Sequence, residues 1–225
     1  MSKPYEEMSK EELLVEIQKR QQFQCASTPG LTTEPNGVIG AEDPWIETYS
    51  GKKFHILNPR PEEIDIVDIA HAEANQCRFT GHVKNFYSVA EHSHYVSLLC
   101  KPENALKGLL HDASEAYISD ISRPLKYCTG IGPIYKEIEK KISDVIYAKF
   151  GLEPDEPADV KNADNVMLIT EKVQLLNDEV SWFDDSTKST WNGVSPLSVN
   201  QLTIVGFVPK YAERIFLQRF AELKK

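Results

Sequence analysis

The chain has 225 residues, of which 41% are hydrophobic and 26% are charged, a composition that is ordinary for a globular protein. This length suits one well-buried domain and is short for two. The formal net charge of −9 argues against a nucleic-acid-binding surface, which needs a basic face. A small anionic ligand is compatible with that charge, because it needs only a few local cations.

The sequence predicts a cytoplasmic protein that has neither a membrane nor a nucleic acid as its partner. No apolar run approaches the roughly 20 residues that a membrane span requires. The N-terminus lacks the apolar core of a signal peptide. Cys25, Cys77, Cys100 and Cys128 are scattered without a Cys-x-x-Cys pair, which favours free thiols in a reducing compartment.

The first 44 residues are predicted to be separate from the main domain, which we assign to residues 45–225. Ser9 and Glu12 form a capping-box pattern before a short amphipathic helix that ends near Gln24. The following stretch, rich in proline and glycine, has little to bury and is predicted to be an extended linker or a lid strap. We expect the helix to pack on the core, with a role in assembly as the alternative.

Residues 45–57 predict a β-hairpin, because aromatic and β-branched residues flank a Ser-Gly pair. Helices are then predicted at residues 64–76 and 86–99. In the second of these, His92 shares a face with apolar residues that include Leu99, so its imidazole is expected to point inward. Pro102 breaks this helix, and the next helix is expected to be its antiparallel partner.

A histidine and an aspartate, His111 and Asp112, lie side by side in an apolar, helix-forming run at residues 108–120. Glu115 lies one turn further on, so on a helix all three side chains would face one pocket. Burying two carboxylates among leucines and alanines is costly unless a cation neutralises them. A divalent metal ion would do so.

Asp164 completes the candidate site from a third predicted helix, at residues 160–171, where it lies on the apolar side. His92, His111, Asp112 and Asp164 then supply two imidazoles and two carboxylates from three packed helices. Such a mixed nitrogen and oxygen set suits a first-row divalent metal.

Two further helices are expected to be structural. The first is predicted at residues 133–150 and ends at Gly151. Its core stripe is predicted to consist of Ile134, Ile138, Ile142 and Ile146. The second is an amphipathic helix at residues 210–223. The predicted fold is therefore mostly all-α, a helical bundle with a small β-hairpin before the core.

The ordered histidines and aspartates form an H…HD…D signature, and with it the sequence resembles the HD-domain phosphohydrolases. Further segments resemble the 5'-deoxynucleotidase branch, which is similar to small phage enzymes that remove triphosphate from deoxyadenosine nucleotides. These segments are Arg78-Phe79, Glu91-His92-Ser93, residues 111–120, and Arg123-Pro-Leu-Lys126-Tyr127. The resemblance runs from about Trp45 to the region of Glu171, which is most of the chain.

The resemblance implies an HD-domain bundle that cleaves the 5' phosphoester of a 2'-deoxynucleotide, with monophosphate and triphosphate substrates both open. The four ligands would hold Zn, Mn, Co or Mg. Arg78 would reach the phosphate or sugar, and Phe79 would stack on the base or sugar. The alternatives are that Arg78 pairs with a structural carboxylate and that Phe79 belongs to the core. Arg78 and Lys126 would balance the charge of the phosphate, with His82 as a third donor.

Two carboxylates are candidates for proton transfer. Glu115 is placed to accept or relay the proton of the attacking water, or alternatively only to orient a metal ligand. Asp120 would protonate the departing 5' oxygen, or alternatively cap a helix. Rival functions are a cyclic-nucleotide phosphodiesterase, a nuclease and a non-catalytic, metal-stabilised module. Because enzymes of this family are commonly oligomeric, a homo-oligomer is expected.

Overall fold

The computed structural model describes residues 43–177, Thr190 and residues 193–224. Within these ranges, eight α-helices follow one two-stranded antiparallel sheet. The prediction of a mostly helical fold with a small hairpin before the core is confirmed. The predicted N-terminal helix, and the predicted linker up to residue 42, lie outside the described residues.

The elements follow one another in this order along the chain. The strands are β1 (Trp45–Glu47) and β2 (Lys53–His55). The helices are α1 (Ile66–Asn75), α2 (Val89–Leu99), α3 (Ala105–Leu109), α4 (Glu115–Ile118), α5 (Arg123–Cys128), α6 (Ile131–Phe150), α7 (Ala158–Leu175) and α8 (Pro209–Leu223). Short 3-10 turns lie at Pro61–Glu63, Phe79–Gly81 and Pro102–Asn104. None of these helices has the length and apolar character that crossing a membrane would require.

The hairpin is anchored to the helical core by one aromatic side chain. Ile46 pairs with Phe54 in the antiparallel register, and Gly51 in the connecting turn has a φ of +80°, which glycine adopts without strain. Phe54 is fully buried, and its ring stacks on Tyr117 of α4 with 3.7 Å between the ring centroids. The hairpin therefore packs directly against the helix that follows His111 and Asp112.

Helix α2 lies at the centre of the bundle, in contact with α1, α3, α7 and α8. The Ser88 hydroxyl caps its N-terminus by accepting the Glu91 backbone N–H at 3.1 Å. His92 is fully buried, as its predicted inward position requires. The prediction that Leu99 shares this buried face is wrong, because it is 41% exposed. Leu98 beside it is also exposed, whereas Val96 and Ser97 in the same turn are fully buried.

The prediction of one continuous helix at residues 108–120 is wrong. Helix α3 ends at Leu109 and α4 begins at Glu115. Between them the backbone forms tighter turns, as in the hydrogen bond from the Glu115 N–H to the Asp112 carbonyl at 2.8 Å. His111 and Asp112 therefore lie in a turn between two short helices and not on a helical face.

The long helix α6 begins at Ile131, two residues before the predicted start. Ile142 and Ile146 are fully buried in the main core, and Ile138 packs against it. Ile134 is 64% exposed, so its predicted place in the core stripe is wrong. The first turns of α6 lie beside the short helix α5, in which no residue is buried.

Two isoleucines of α6 provide a matched test of this packing. We expect Ile142→Ala to lower the free energy of unfolding by about 2–5 kcal/mol, because it leaves a cavity in the core. Ile134→Ala should change it by less than about 0.5 kcal/mol, as is usual for an exposed site. Urea denaturation followed by circular dichroism measures both, and equal losses would contradict the assignment of the buried face.

Candidate metal centre

The four predicted ligands converge. The Nε2 atoms of His92 and His111 are 3.3 Å apart. Asp164 Oδ1 lies 3.4 Å from His92 Nε2 and 3.9 Å from His111 Nε2. Asp112 Oδ2 lies 3.6 Å and 3.3 Å from the same two nitrogens. His92, His111 and Asp112 each offer a ligand atom within 4.8 Å of the others, which is compact enough to hold a metal ion.

Three different elements deliver these side chains. His92 comes from α2, His111 and Asp112 from the turn after α3, and Asp164 from the second turn of α7. Helix α2 packs against both α3 and α7, so its central position brings the three elements together. Helix packing therefore brings together ligands that are far apart in the sequence.

Hydrogen bonds fix the orientation of both imidazole rings. His111 Nδ1 lies 2.9 Å from the Gly108 carbonyl, which can only accept, so this nitrogen carries the hydrogen. His92 Nδ1 lies 2.5 Å from a carboxylate oxygen of Glu171. With Nδ1 as the donor in each ring, a neutral imidazole presents the lone pair of Nε2 to the site. Two such lone pairs facing each other repel, and a cation or a hydrogen-bond donor between them or beside them relieves that repulsion.

The charges around the site also favour positive charge at this point. Burial lowers the pKa of His111, but Asp112 and Asp164 more than offset this and raise it to about 9. Burial and Arg78 lower the pKa of His92, and Glu171 and Asp164 raise it to a net value above normal. Burial raises the pKa of Asp164, whereas hydrogen bonds from both imidazoles bring it well below normal. The site therefore attracts positive charge, which either protons or a metal ion can supply.

Glu171 orients the His92 ring, although it was not among the site residues predicted from the sequence. This fully buried carboxylate also accepts from the Tyr87 hydroxyl at 2.8 Å and from Arg78 Nε at 3.2 Å. Partners of this kind fix the tautomer of a ligating histidine. Glu171 lies seven residues after Asp164, which is two turns along the same face of α7, and this spacing could have identified it.

Arg78 lies between two carboxylates. Its Nη1 is 3.3 Å from Asp112 Oδ2, while Nε contacts Glu171. This arrangement matches the alternative in which Arg78 pairs with a structural carboxylate. Its contact with a substrate phosphate stays a prediction, and the guanidinium lies directly beside one of the candidate ligands.

Glu115 and Asp120 are carboxylates whose pKa values are both raised by their surroundings. Glu115 is only 6% exposed, and its Oε2 has no hydrogen-bond partner among the residues that the structure describes. Burial raises its pKa well above normal, and the charges of Asp112 and Asp120 raise it further. Burial also raises the pKa of Asp120, where Arg78 opposes and Asp112 reinforces the shift. Both side chains therefore interact electrostatically with the candidate centre.

A cavity of about 460 Å³ opens beside the ligands. Its walls include His111, Asp112 and Asp164, together with Lys126, Lys136, Lys140 and Lys161. Lys126 Nζ lies 2.5 Å from Glu139, and Lys161 Nζ lies 2.7 Å from Asp164. Lys126, predicted to balance phosphate charge, thus borders the cavity but is already paired with a carboxylate.

Phe79 and His82 lie on the turn next to Arg78 and are not among the residues that line this cavity. Phe79 and Thr80 have φ values of +54° and +55°, in the left-handed region that is costly for residues other than glycine. The Arg78 guanidinium lies 5.6 Å from the centre of the Phe79 ring. His82 is exposed, and its side chain is not brought to the ligands by any described contact.

Comparison with known proteins gives relatives without an assigned activity. No family model matches the chain. The uncharacterized protein YfdR of Escherichia coli K12 is 38% identical over 182 residues, which are 80% of this chain and 96% of that protein. An uncharacterized protein of Rhodobacter capsulatus is 36% identical over 128 residues, which are 53% of this chain and 64% of that protein. A function must therefore be argued from the site.

Removing the Glu171 carboxylate should weaken metal binding. We expect Glu171→Gln to lower Mn²⁺ affinity by roughly 10–100-fold, because an amide no longer enforces the hydrogen on His92 Nδ1. Isothermal titration calorimetry measures this. The control is Glu213→Gln, which alters another Glu–His pair, with His71, at 3.0 Å. Equal affinity in both variants would exclude an orienting role for Glu171.

The metal-free protein should lose stability as the pH rises. The His111 pKa of about 9 exceeds its ordinary value of 6.5, so protonation stabilises the fold fully below about pH 6.5. That contribution disappears as the pH passes through about 9. Urea unfolding with a chelator, from pH 6 to 9, should show this decline in the wild type and a smaller one in His111→Gln. The same decline with pH in the wild type and in His111→Gln would contradict this role of His111.

Proposed function

The chain belongs to the same family as Escherichia coli YfdR, and we propose that it is a metal-dependent, HD-domain phosphohydrolase that cleaves the 5' phosphoester of 2'-deoxynucleotides. One observation carries this proposal. Two imidazole nitrogens, from His92 and His111, meet two carboxylates, and the rings are fixed so that their lone pairs face one point. A core that served only packing would gain nothing from collecting these groups.

The donor set fits a divalent ion. His92, His111, Asp112 and Asp164 would hold it, and a mixed set of imidazoles and carboxylates is compatible with Zn, Mn, Co or Mg. When bound, such an ion acidifies a water molecule and neutralises charge on a phosphoryl oxygen. The acidic character of the whole chain does not oppose binding of an anionic substrate, because the local cations decide it.

Glu115 is the proposed proton acceptor for the attacking water. Its Oε2 atom is buried without a partner among the described residues, which leaves it available for a substrate water. Burial keeps its pKa high, so the carboxylate form is a stronger base than an exposed glutamate. Asp112 contributes to that high pKa, and neutralising the Asp112 charge would therefore favour the ionised form of Glu115.

Asp120 is the proposed donor to the departing 5' oxygen. Its pKa is raised by burial, which favours the protonated form that a general acid requires. Arg78 opposes the rise in pKa at Glu115 as well, and Asp112 reinforces it at both carboxylates.

Arg78 and the lysines at the cavity are the proposed phosphate contacts. A guanidinium carries five N–H groups in a planar fork that matches phosphate geometry. Arg78 uses Nε for Glu171 and Nη1 for Asp112, so its position beside the ligands is already fixed. Lys126 would exchange its ion pair with Glu139 for one with phosphate. Monophosphate and triphosphate substrates differ in how many such cations they need.

A nucleotide panel tests the proposal. The wild type is assayed with dAMP, dATP, AMP, ATP and a cyclic dinucleotide, each with Mn²⁺, Co²⁺, Zn²⁺ and Mg²⁺, and the products are separated by chromatography. We expect a deoxynucleoside with phosphate or triphosphate as products. Hydrolysis of only the cyclic dinucleotide would favour a phosphodiesterase. No turnover with any metal would indicate a non-catalytic module.

Substituting Glu115 separates catalysis from metal binding. We expect Glu115→Gln to lower kcat by roughly 100-fold or more, the scale of losing a general base, while Mn²⁺ affinity stays near the wild-type value. Glu137→Gln is the matched control, because Glu137 is exposed on α6. If Glu115→Gln retained wild-type turnover, the residue would have no part in proton transfer.

A further inference from the structure

Gln76 connects helix α1 to the segment that carries both proposed acid–base carboxylates. It directly follows α1, and its side-chain Nε2 donates to the Glu115 carbonyl at 2.8 Å. Its Oε1 accepts from the Asp120 N–H at 3.2 Å. One amide group therefore bonds to the backbone at both ends of the segment 115–120, about 40 residues away in sequence.

The segment 115–120 depends on such external contacts. Helix α4 is a single turn, which is too short to be stable alone. Ser119 then has a φ of +65°, which is disfavoured for a residue with a side chain. The Tyr135 hydroxyl donates to the Ser119 carbonyl at 2.5 Å, and Gln76 holds the residues on either side. These bonds fix the direction of the backbone at Asp120.

Gln76 is itself held by the helix that carries His92. Its backbone carbonyl accepts from the N–H of Val89, the first residue of α2, at 3.1 Å. Its own N–H donates to the Glu73 carbonyl at 3.3 Å. Gln76 thus joins the element that carries one candidate ligand to the segment that carries Glu115 and Asp120.

We propose that Gln76 is a positioning residue, which holds Glu115 and Asp120 at a fixed distance from the metal centre through their backbone. The catalytic consequence rests on the proposed function, whereas the holding of the segment does not. Reacting groups that are misplaced by about 1 Å can lower a rate by roughly 100-fold, so a backbone clamp at this position has a measurable effect.

The chain offers a matched control in Gln174 on α7. Its Nε2 donates to the Leu202 carbonyl at 2.9 Å, and its Oε1 accepts from the Ile204 N–H at 2.9 Å. Gln174 therefore makes the same pair of backbone bonds, to a segment that carries none of the proposed catalytic groups. Replacing either glutamine by methionine keeps a similar volume and removes both bonds.

The experiment compares Gln76→Met and Gln174→Met in two measurements. In hydrogen-exchange mass spectrometry, Gln76→Met should speed exchange of the amides of residues 115–120 by at least 10-fold, and Gln174→Met should not. With the nucleotide that the wild type hydrolyses best, Gln76→Met should lower kcat by roughly 10–100-fold, while KM and Mn²⁺ affinity change by less than about threefold. Gln174→Met should keep the wild-type kcat.

Each outcome has a distinct meaning. Unchanged exchange in Gln76→Met, or equal loss of kcat in both variants, overturns the inference. If the wild type hydrolyses no nucleotide, the proposed function fails, and the exchange measurement alone decides whether Gln76 holds the segment. If Gln76→Met does not fold, Gln76→Glu replaces it, because it keeps the acceptor for Asp120 and lacks the donor to Glu115.

Discussion

The structure depends on two imidazole nitrogens that face each other across 3.3 Å. Both rings direct their N–H away from the site, towards the Gly108 carbonyl and Glu171, so neither Nε2 can donate to the other while the rings are neutral. Asp112 and Asp164 add negative charge at the same point. Extra protons offset part of this charge, whereas a divalent ion would satisfy all four groups at once.

The fold around this point keeps the groups from relaxing apart. Helix α2 carries His92 through the centre of the bundle, and Glu171 ties that ring to α7, which also carries Asp164. Arg78 bridges Glu171 and Asp112, so the turn after α3 is joined to the same network. Buried charge networks are costly unless each member is paired, and here the pairs link the three elements that supply the ligands. The same bonds that stabilise the network therefore orient the candidate site.

Periodicity in the sequence was sufficient to predict the longer helices, which are α1, α2, α6, α7 and α8. The 3.6-residue pattern correctly turned His92 inward and identified α7 as the helix that carries Asp164. It failed at residues 108–120, because apolar residues continue through a stretch where the backbone forms tighter turns. It also failed at Ile134, whose burial depends on which neighbour lies beside the start of α6. The roles of Glu171 and Gln76 arise from contacts between distant segments, and only the Glu171 spacing leaves a trace in the sequence.

Crystals of the full chain soaked in MnCl₂, with anomalous diffraction recorded near the Mn edge, test the central claim most directly. We expect one anomalous peak about 2.0–2.2 Å from the Nε2 atoms of His92 and His111, with oxygens of Asp112 and Asp164 completing the contacts. Crystals of His92→Ala should lose that peak. A wild-type crystal with no peak between the two imidazoles, at Mn²⁺ concentrations that label other carboxylates, would contradict the account.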